Sequence, residues 1–181
     1  MNFFKNILQL IISPNTGWNN IKKFNVPRSI FTSKVFFPLL GVVAVSVFFQ
    51  FIYAQTGTLT SYIQHSIIVC SSFFFGYMLS AYIISYYILN GKSDDIVENK
   101  AHIFTLYLYS ILMILSIINN LLPLNFTFID LFQFYLVYLI YKGVDFLGVK
   151  SDDRWKFVVI ASLALLLPIY SIKTILEYIL L

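Results

Sequence analysis

The sequence predicts an all-α, polytopic membrane helix bundle. It has five transmembrane helices, N-terminus inside and C-terminus outside, and an amphipathic helix at the interface ahead of them. Three observations carry that expectation. Of 181 residues, 59% are hydrophobic and 11% are charged, whereas an ordinary soluble domain is about 25% charged. Five segments approach the roughly 20 apolar residues that a helix needs to cross hydrocarbon; they cover residues 35–54, 63–89, 103–122, 126–141 and 155–181. The connections between these segments alternate between basic ones and ones free of Lys and Arg.

The arm, residues 1–34, comes first. Phe3, Phe4, Ile7, Leu8 and Ile11 recur at helical spacing, which predicts a short helix lying on the inner leaflet. Ser13 and Pro14 open a second short helix or a turn, with Trp18 at headgroup level. Pro14 and Trp18 read as a turn and an interfacial anchor. A surface that docks a partner is the alternative.

Residues 35–181 form the bundle. In its second span Ser72, Gly76 and Ser80 stand at four-residue spacing, a pattern that lets helices approach closely in lipid. Packing within one bundle, with Gly41 and Ala44 of the first span opposite, is the expected use; a homodimer seam is the alternative. The fourth span is short and carries Asp130, and only the sequence PLN separates it from the third, so the two form a tight antiparallel hairpin. KSDD occurs at residues 92–95 and again at 150–153, each copy just ahead of a span. Ser or Asp there caps a helix start, and Asp95 and Glu98 have capping-box spacing.

Charge sets the orientation. Eleven of the twelve Lys and Arg residues fall in the arm or in the second and fourth connections, all on one face, which the positive-inside rule makes cytoplasmic. The net charge of +4 then suits anionic lipid headgroups at that face, not nucleic acid. The exception is Lys173, in the last span with Glu177. At about 1.5 Å per residue, Lys173 lies about 27 Å from Trp155, near the outer boundary of a core about 30 Å thick. Asp130 lies at a similar depth, so Asp130 and Lys173 are expected to approach, with Gln133 one turn away and Glu177 sharing the lysine. Three readings of this group stay open: snorkelling to water, a structural ion pair, and a functional polar site opening outward.

The templates of catalysis fail when tested. GKS at residues 91–93 lacks the earlier glycine of a phosphate loop, where Tyr86 stands. His65 and His102 belong to opposite membrane sides. Asp94, Asp95, Glu98 and His102 are the best metal candidates by donor type, but an exposed polar loop makes them a solvated face. No catalytic residue, cofactor or metal is expected. The single cysteine, Cys70, excludes an intramolecular disulfide, and the first residues lack the pattern of a cleaved signal peptide.

The order of features, SPNTGWNNIKK, then LLP at residues 121–123, QFYLVYLIYKG at 133–143 and LLLP at 165–168, resembles the bacterial branch of the Yip family. That family is named for proteins interacting with Ypt and Rab GTPases. The resemblance covers essentially the whole chain and rests on diffuse pattern. It implies a five-span bundle of the bacterial cytoplasmic (inner) membrane with no enzymatic activity. The long hydrophilic N-terminal region of the eukaryotic branch is missing, as is its aspartate-leucine, glycine-proline element, so Rab-dependent traffic is not carried over. The preferred function is a scaffold or accessory subunit that binds other membrane proteins. The alternative is a small transporter or channel for an ion or lipid, using Asn119, Asn120, Asp130, Gln133, Lys173 and Glu177. Those residues must then converge on a water-accessible cavity.

Overall fold

The computed structural model describes residues 3–24, 27–54, 58–89, 94–122 and 128–180; the side chains of Phe24, Phe51, Ala54 and residues 128–131 lie outside the description. The expected turn after Leu122 and the Asp130 side chain therefore fall outside the described residues. The regular elements described are all helical: α1 Phe3–Ile12, α2 Pro14–Phe24, α3 Arg28–Phe31, α4 Phe37–Ser46, α5 Phe49–Ala54, α6 Leu59–Leu89, α7 Asp95–Leu121, α8 Phe128–Leu147 and α9 Arg154–Leu180. A π segment, Thr32–Phe36, joins α3 to α4, and a 3-10 turn, Ser151–Asp153, leads into α9. The π segment has a local cause: Pro38 has no N–H to donate to the Lys34 carbonyl, so the ladder widens ahead of it.

Four helices are long and apolar enough to cross a membrane: Arg28–Ser46, Leu59–Leu89, Asp95–Leu121 and Ser151–Leu180. The chain is thus a multi-pass membrane protein. The first of these begins earlier than expected and stops at Ser46, where the helix breaks at residues 47–48 before α5. The expected fourth span, α8, has 20 residues and carries Asp130, Lys142 and Asp145, and it is not among the four.

Contacts along the helices set their directions. Ser66 of α6 donates to the Ala44 carbonyl of α4 at 2.9 Å, while Phe36 and Tyr77 meet at the other end. Tyr77 meets His102 of α7, and Phe73 meets Tyr109. Gln64 reaches the Leu180 carbonyl of α9, and Tyr87 meets Phe157. Gln133 of α8 bonds to Tyr170, and Asp145 pairs with Arg154. Each register is antiparallel, so α4, α6, α7, α8 and α9 alternate up and down. The most extensive pair is α6 with α9.

The arm departs from the expectation of a helix lying on lipid. Ile7 and Leu10 are buried in the core, Asn6 donates to Tyr107 at 3.3 Å, and Tyr135 donates to the Ile11 carbonyl. Phe3 packs edge-on against Phe31. Phe4, Leu8 and Ile12 occupy the exposed side. With apolar residues on both sides, α1 has one face for the bundle and one for lipid. Trp18 corrects the anchor assignment more sharply. It is 2% exposed, stacked on Phe104 at 4.9 Å and bonded through its indole N–H to the Leu139 carbonyl at 3.1 Å. Gly143 makes the socket, since a Cβ there would lie 2.4 Å from Phe104 and 2.9 Å from Trp18. Pro14 opens α2. The other tryptophan, Trp155, does have an anchor's exposure, at 69% beside Tyr141.

The caps also depart in detail. Asp94, not Asp95, caps α7 by accepting from the Ile96 and Val97 backbone N–H groups. Glu98 is thereby released from any capping box and pairs with Arg28, whose own N–H donates to Asn99. The second KSDD copy starts α9 through the 3-10 turn, without a side-chain cap on it. Gly148, at φ +74°, closes α8 in the left-handed conformation that favours glycine.

Candidate functional site

Ser72, Gly76 and Ser80 all face the interior of the bundle from α6. Gly41 is not opposite them, because a Cβ there would meet nothing within 4 Å. Their neighbours are α7 and α9: a Cβ at Gly76 would come within 2.9 Å of the Tyr109 hydroxyl and 3.1 Å of Ile169. Pro168 explains what this close approach serves. Proline inside α9 cannot donate to the carbonyl four residues back, which is that of Ala164. Ser80 Oγ lies 2.5 Å from that carbonyl oxygen and Tyr109 Oη lies 2.7 Å from Ser80 Oγ. Tyr109 Oη is also 3.3 Å from the Leu165 carbonyl oxygen. Three helices thus meet where α9 loses a hydrogen bond, and the space above Gly76 admits the tyrosine. Among the described residues no buried side-chain nitrogen or oxygen lacks a partner.

Beyond this junction, toward the end where α6 and α8 begin, a cavity of about 230 Å³ opens between α6, α7, α8 and α9. Its polar lining is Ser72, Ser116, Asn119, Gln133, Tyr170 and Lys173; Leu112, Leu166 and Ile169 contribute to the apolar part. Gln133 Nε2 donates to the Tyr170 hydroxyl. Lys173 Nζ lies 3.7 Å from Glu177 Oε1 one turn farther along α9, with the two side chains 42% and 36% exposed. His65 lies within electrostatic reach of both.

The expected polar residues therefore divide. Gln133, Lys173 and Asn119 share the cavity, and Glu177 accompanies Lys173 without lining it. Asn120 turns away, donating to Ser46 Oγ and accepting from Gln50, both at 2.8 Å. That trio ties α7 to the break between α4 and α5. Ser116 and Tyr170 escaped the reading of the sequence, although both stand one turn from a residue already singled out, Asn119 or Lys173. Tyr109 escaped it too. A proline inside a span, leaving a carbonyl to satisfy, was the available signal.

At the opposite end the metal candidates do not form a cluster. Among the described residues no group of three or more His, Cys, Asp or Glu side chains is placed to hold a metal. Asp94 is engaged in capping, Glu98 with Arg28, and His102 Nδ1 with Tyr77 at 3.0 Å.

In comparisons with known proteins, no family model, curated protein or solved structure matches this chain.

Proposed function

We propose a non-enzymatic, five-span protein of the bacterial cytoplasmic membrane, Yip-like in its order of features, that binds a ligand in the cavity lined by Lys173. The fifth crossing is α8. Its 20 residues extend about 30 Å, the thickness of a hydrocarbon core, and its antiparallel register with α9, from Gln133 beside Tyr170 to Asp145 beside Arg154, supports a crossing. The basic residues gathered at the opposite end support a cytoplasmic N-terminus. The observation that carries the ligand reading is the convergence of Asn119, Gln133 and Lys173 on one cavity. The test uses Cys70→Ser as background. A membrane-impermeant maleimide is expected to label Asn119→Cys on intact cells, and Lys156→Cys only after permeabilisation. The inverse pattern refutes the orientation, and an inert Asn119→Cys refutes the open cavity.

One observation favours the second reading, a scaffold or accessory subunit for other membrane proteins. An apolar groove of about 530 Å³ runs between α6 and α9, lined by Leu79, Ile83, Leu163 and Leu167 among others. The expected result is a membrane protein that co-purifies in stoichiometric amount from mild detergent and is lost with Leu163→Trp. Retention of that protein in the variant counts against the groove.

A further inference from the structure

Resting on the reading of the cavity as a ligand site, we propose that its ligand is an anionic amphiphile. An oxyanion head, phosphate or carboxylate, is held by Lys173, Asn119 and Gln133, and the start of an apolar chain lies against Leu112 and Leu166.

The sign follows from the wall. Among the described residues Lys173 is the one Lys or Arg in the half of the bundle where α6 and α8 begin, and no described carboxylate lines the cavity. Glu177 lies 3.7 Å from the Lys173 ammonium without lining the cavity, and that ammonium has three hydrogens to donate. Tyr170 accepts from Gln133, which leaves its own O–H as a donor. Among the described residues the wall thus offers the Lys173 ammonium, the Tyr170 O–H and the amide N–H groups of Asn119 and Gln133, and donors of this kind beside a cation suit an oxyanion.

The amphiphilic shape follows from two helices that show the same gradient. Along α7 the lining runs inward from Asn119 and Ser116 to Leu115 and Leu112; along α9 it runs from Lys173 and Tyr170 to Ile169 and Leu166. Each series is polar at the mouth and apolar about 10 Å deeper, at 1.5 Å per residue. A free inorganic anion would satisfy the mouth and leave the floor empty. Size limits the rest. A volume of about 230 Å³, far above the ~10–15 Å³ that one water requires, has room for a headgroup with a few methylenes.

The test is protection from labelling, with Ser116→Cys in the Cys70→Ser background, on the purified full chain in maltoside micelles. The probes are dioctanoyl phosphatidylglycerol, dioctanoyl phosphatidylcholine and inorganic phosphate. Phosphatidylglycerol is expected to slow maleimide labelling at least fivefold, and phosphatidylcholine and phosphate to have little effect. A hydrogen bond to a charged group is worth about 1.5–3 kcal/mol, and each 1.4 kcal/mol is tenfold. Lys173→Met should therefore require at least about tenfold more phosphatidylglycerol. Lys173→Arg should stay within about threefold of wild type, which guards against a merely misfolded Met variant, and Lys156→Met at the other end should change nothing. Equal protection by phosphatidylcholine, or an unaltered Lys173→Met, overturns the anionic ligand. Equal protection by inorganic phosphate overturns the amphiphile. Rapid labelling that no probe slows defeats this inference while leaving the open cavity standing, whereas failure to label at all defeats the cavity itself.

Discussion

Replacing Pro168 with alanine should make Ser80 nearly dispensable, because the two act on the same carbonyl. In wild type the Ala164 oxygen has no N–H from Pro168 and lies 2.5 Å from the Ser80 hydroxyl, whose one hydrogen it shares with the Gly76 carbonyl at 2.7 Å. Ser80→Ala strips that partner from a fully buried site, and an unsatisfied buried acceptor costs about 1–3 kcal/mol. Interhelical hydrogen bonds in membranes average about 0.6 kcal/mol and reach about 1.7 kcal/mol, so the loss should lie near ~1.5 kcal/mol. In Pro168→Ala the backbone N–H returns to Ala164. The residual cost of Ser80→Ala is then the contacts with Tyr109 and the Gly76 carbonyl, about 0.5 kcal/mol. The expected coupling is therefore about 1 kcal/mol. It is read from unfolding of the four proteins (wild type, both single variants and the double variant) in mixed dodecyl sulfate and maltoside micelles. Coupling below ~0.3 kcal/mol, the usual scatter of independent sites, would refute the assignment of Ser80 as the cap on the proline break.

Three further outcomes follow from the packing. Gly76→Ala, whose Cβ would meet the Tyr109 hydroxyl at 2.9 Å, should cost about 1–3 kcal/mol through overpacking; Gly41→Ala, which meets nothing within 4 Å, should not destabilise, since alanine suits a helix better by up to about 1 kcal/mol. Thermal unfolding in detergent separates the two, and equal losses would contradict the placement of α6 against α7 and α9. Trp18→Ala should cost about 3–5 kcal/mol as a buried aromatic truncation, and Gly143→Ala should produce part of the same loss; limited proteolysis should cut the arm in both, and an arm that stays protected argues against the socket. Breaking the half-exposed Arg28–Glu98 pair with Glu98→Gln should cost no more than about 1 kcal/mol, with the loss shrinking at high salt, so a larger salt-independent loss would indicate a more deeply buried role.

What the sequence shows of the site depends on the kind of residue. Lys173 and Glu177 were recognisable because a charge in an apolar helix is conspicuous, and four-residue spacing already makes them neighbours, 3.7 Å apart. Their company was not recognisable. Gln133 and Tyr170 are 37 positions apart, and only the register of α8 against α9 joins them. The small residues of α6 were visible as a pattern, but a pattern names no opposing surface. Gly41 looked as suitable as any, and the Tyr109 hydroxyl over Gly76 became apparent only when the helices were docked. Trp18 misled for a physical reason. An indole suits a headgroup layer as well as a protein pocket with one carbonyl to receive its N–H, and the choice depends on Gly143 leaving space more than a hundred residues away.

Composition by itself made this chain helical and membrane-embedded, because a polypeptide in hydrocarbon must satisfy its backbone hydrogen bonds internally and segments of this length and apolarity have the helix as their economical means. The gradient of basic residues, gathered toward one end with Lys173 as the exception, was equally a property of the sequence. Tertiary structure decided everything that depends on two helices at once. It set the arm inside the bundle, the hydroxyls over the proline break, and the six polar side chains around one cavity. Lipid is as apolar as the helix surfaces it bathes, so hydrophobicity says little about which surfaces meet. Shape and a few hydrogen bonds make that choice, and both are properties of pairs of surfaces that no single stretch of sequence contains.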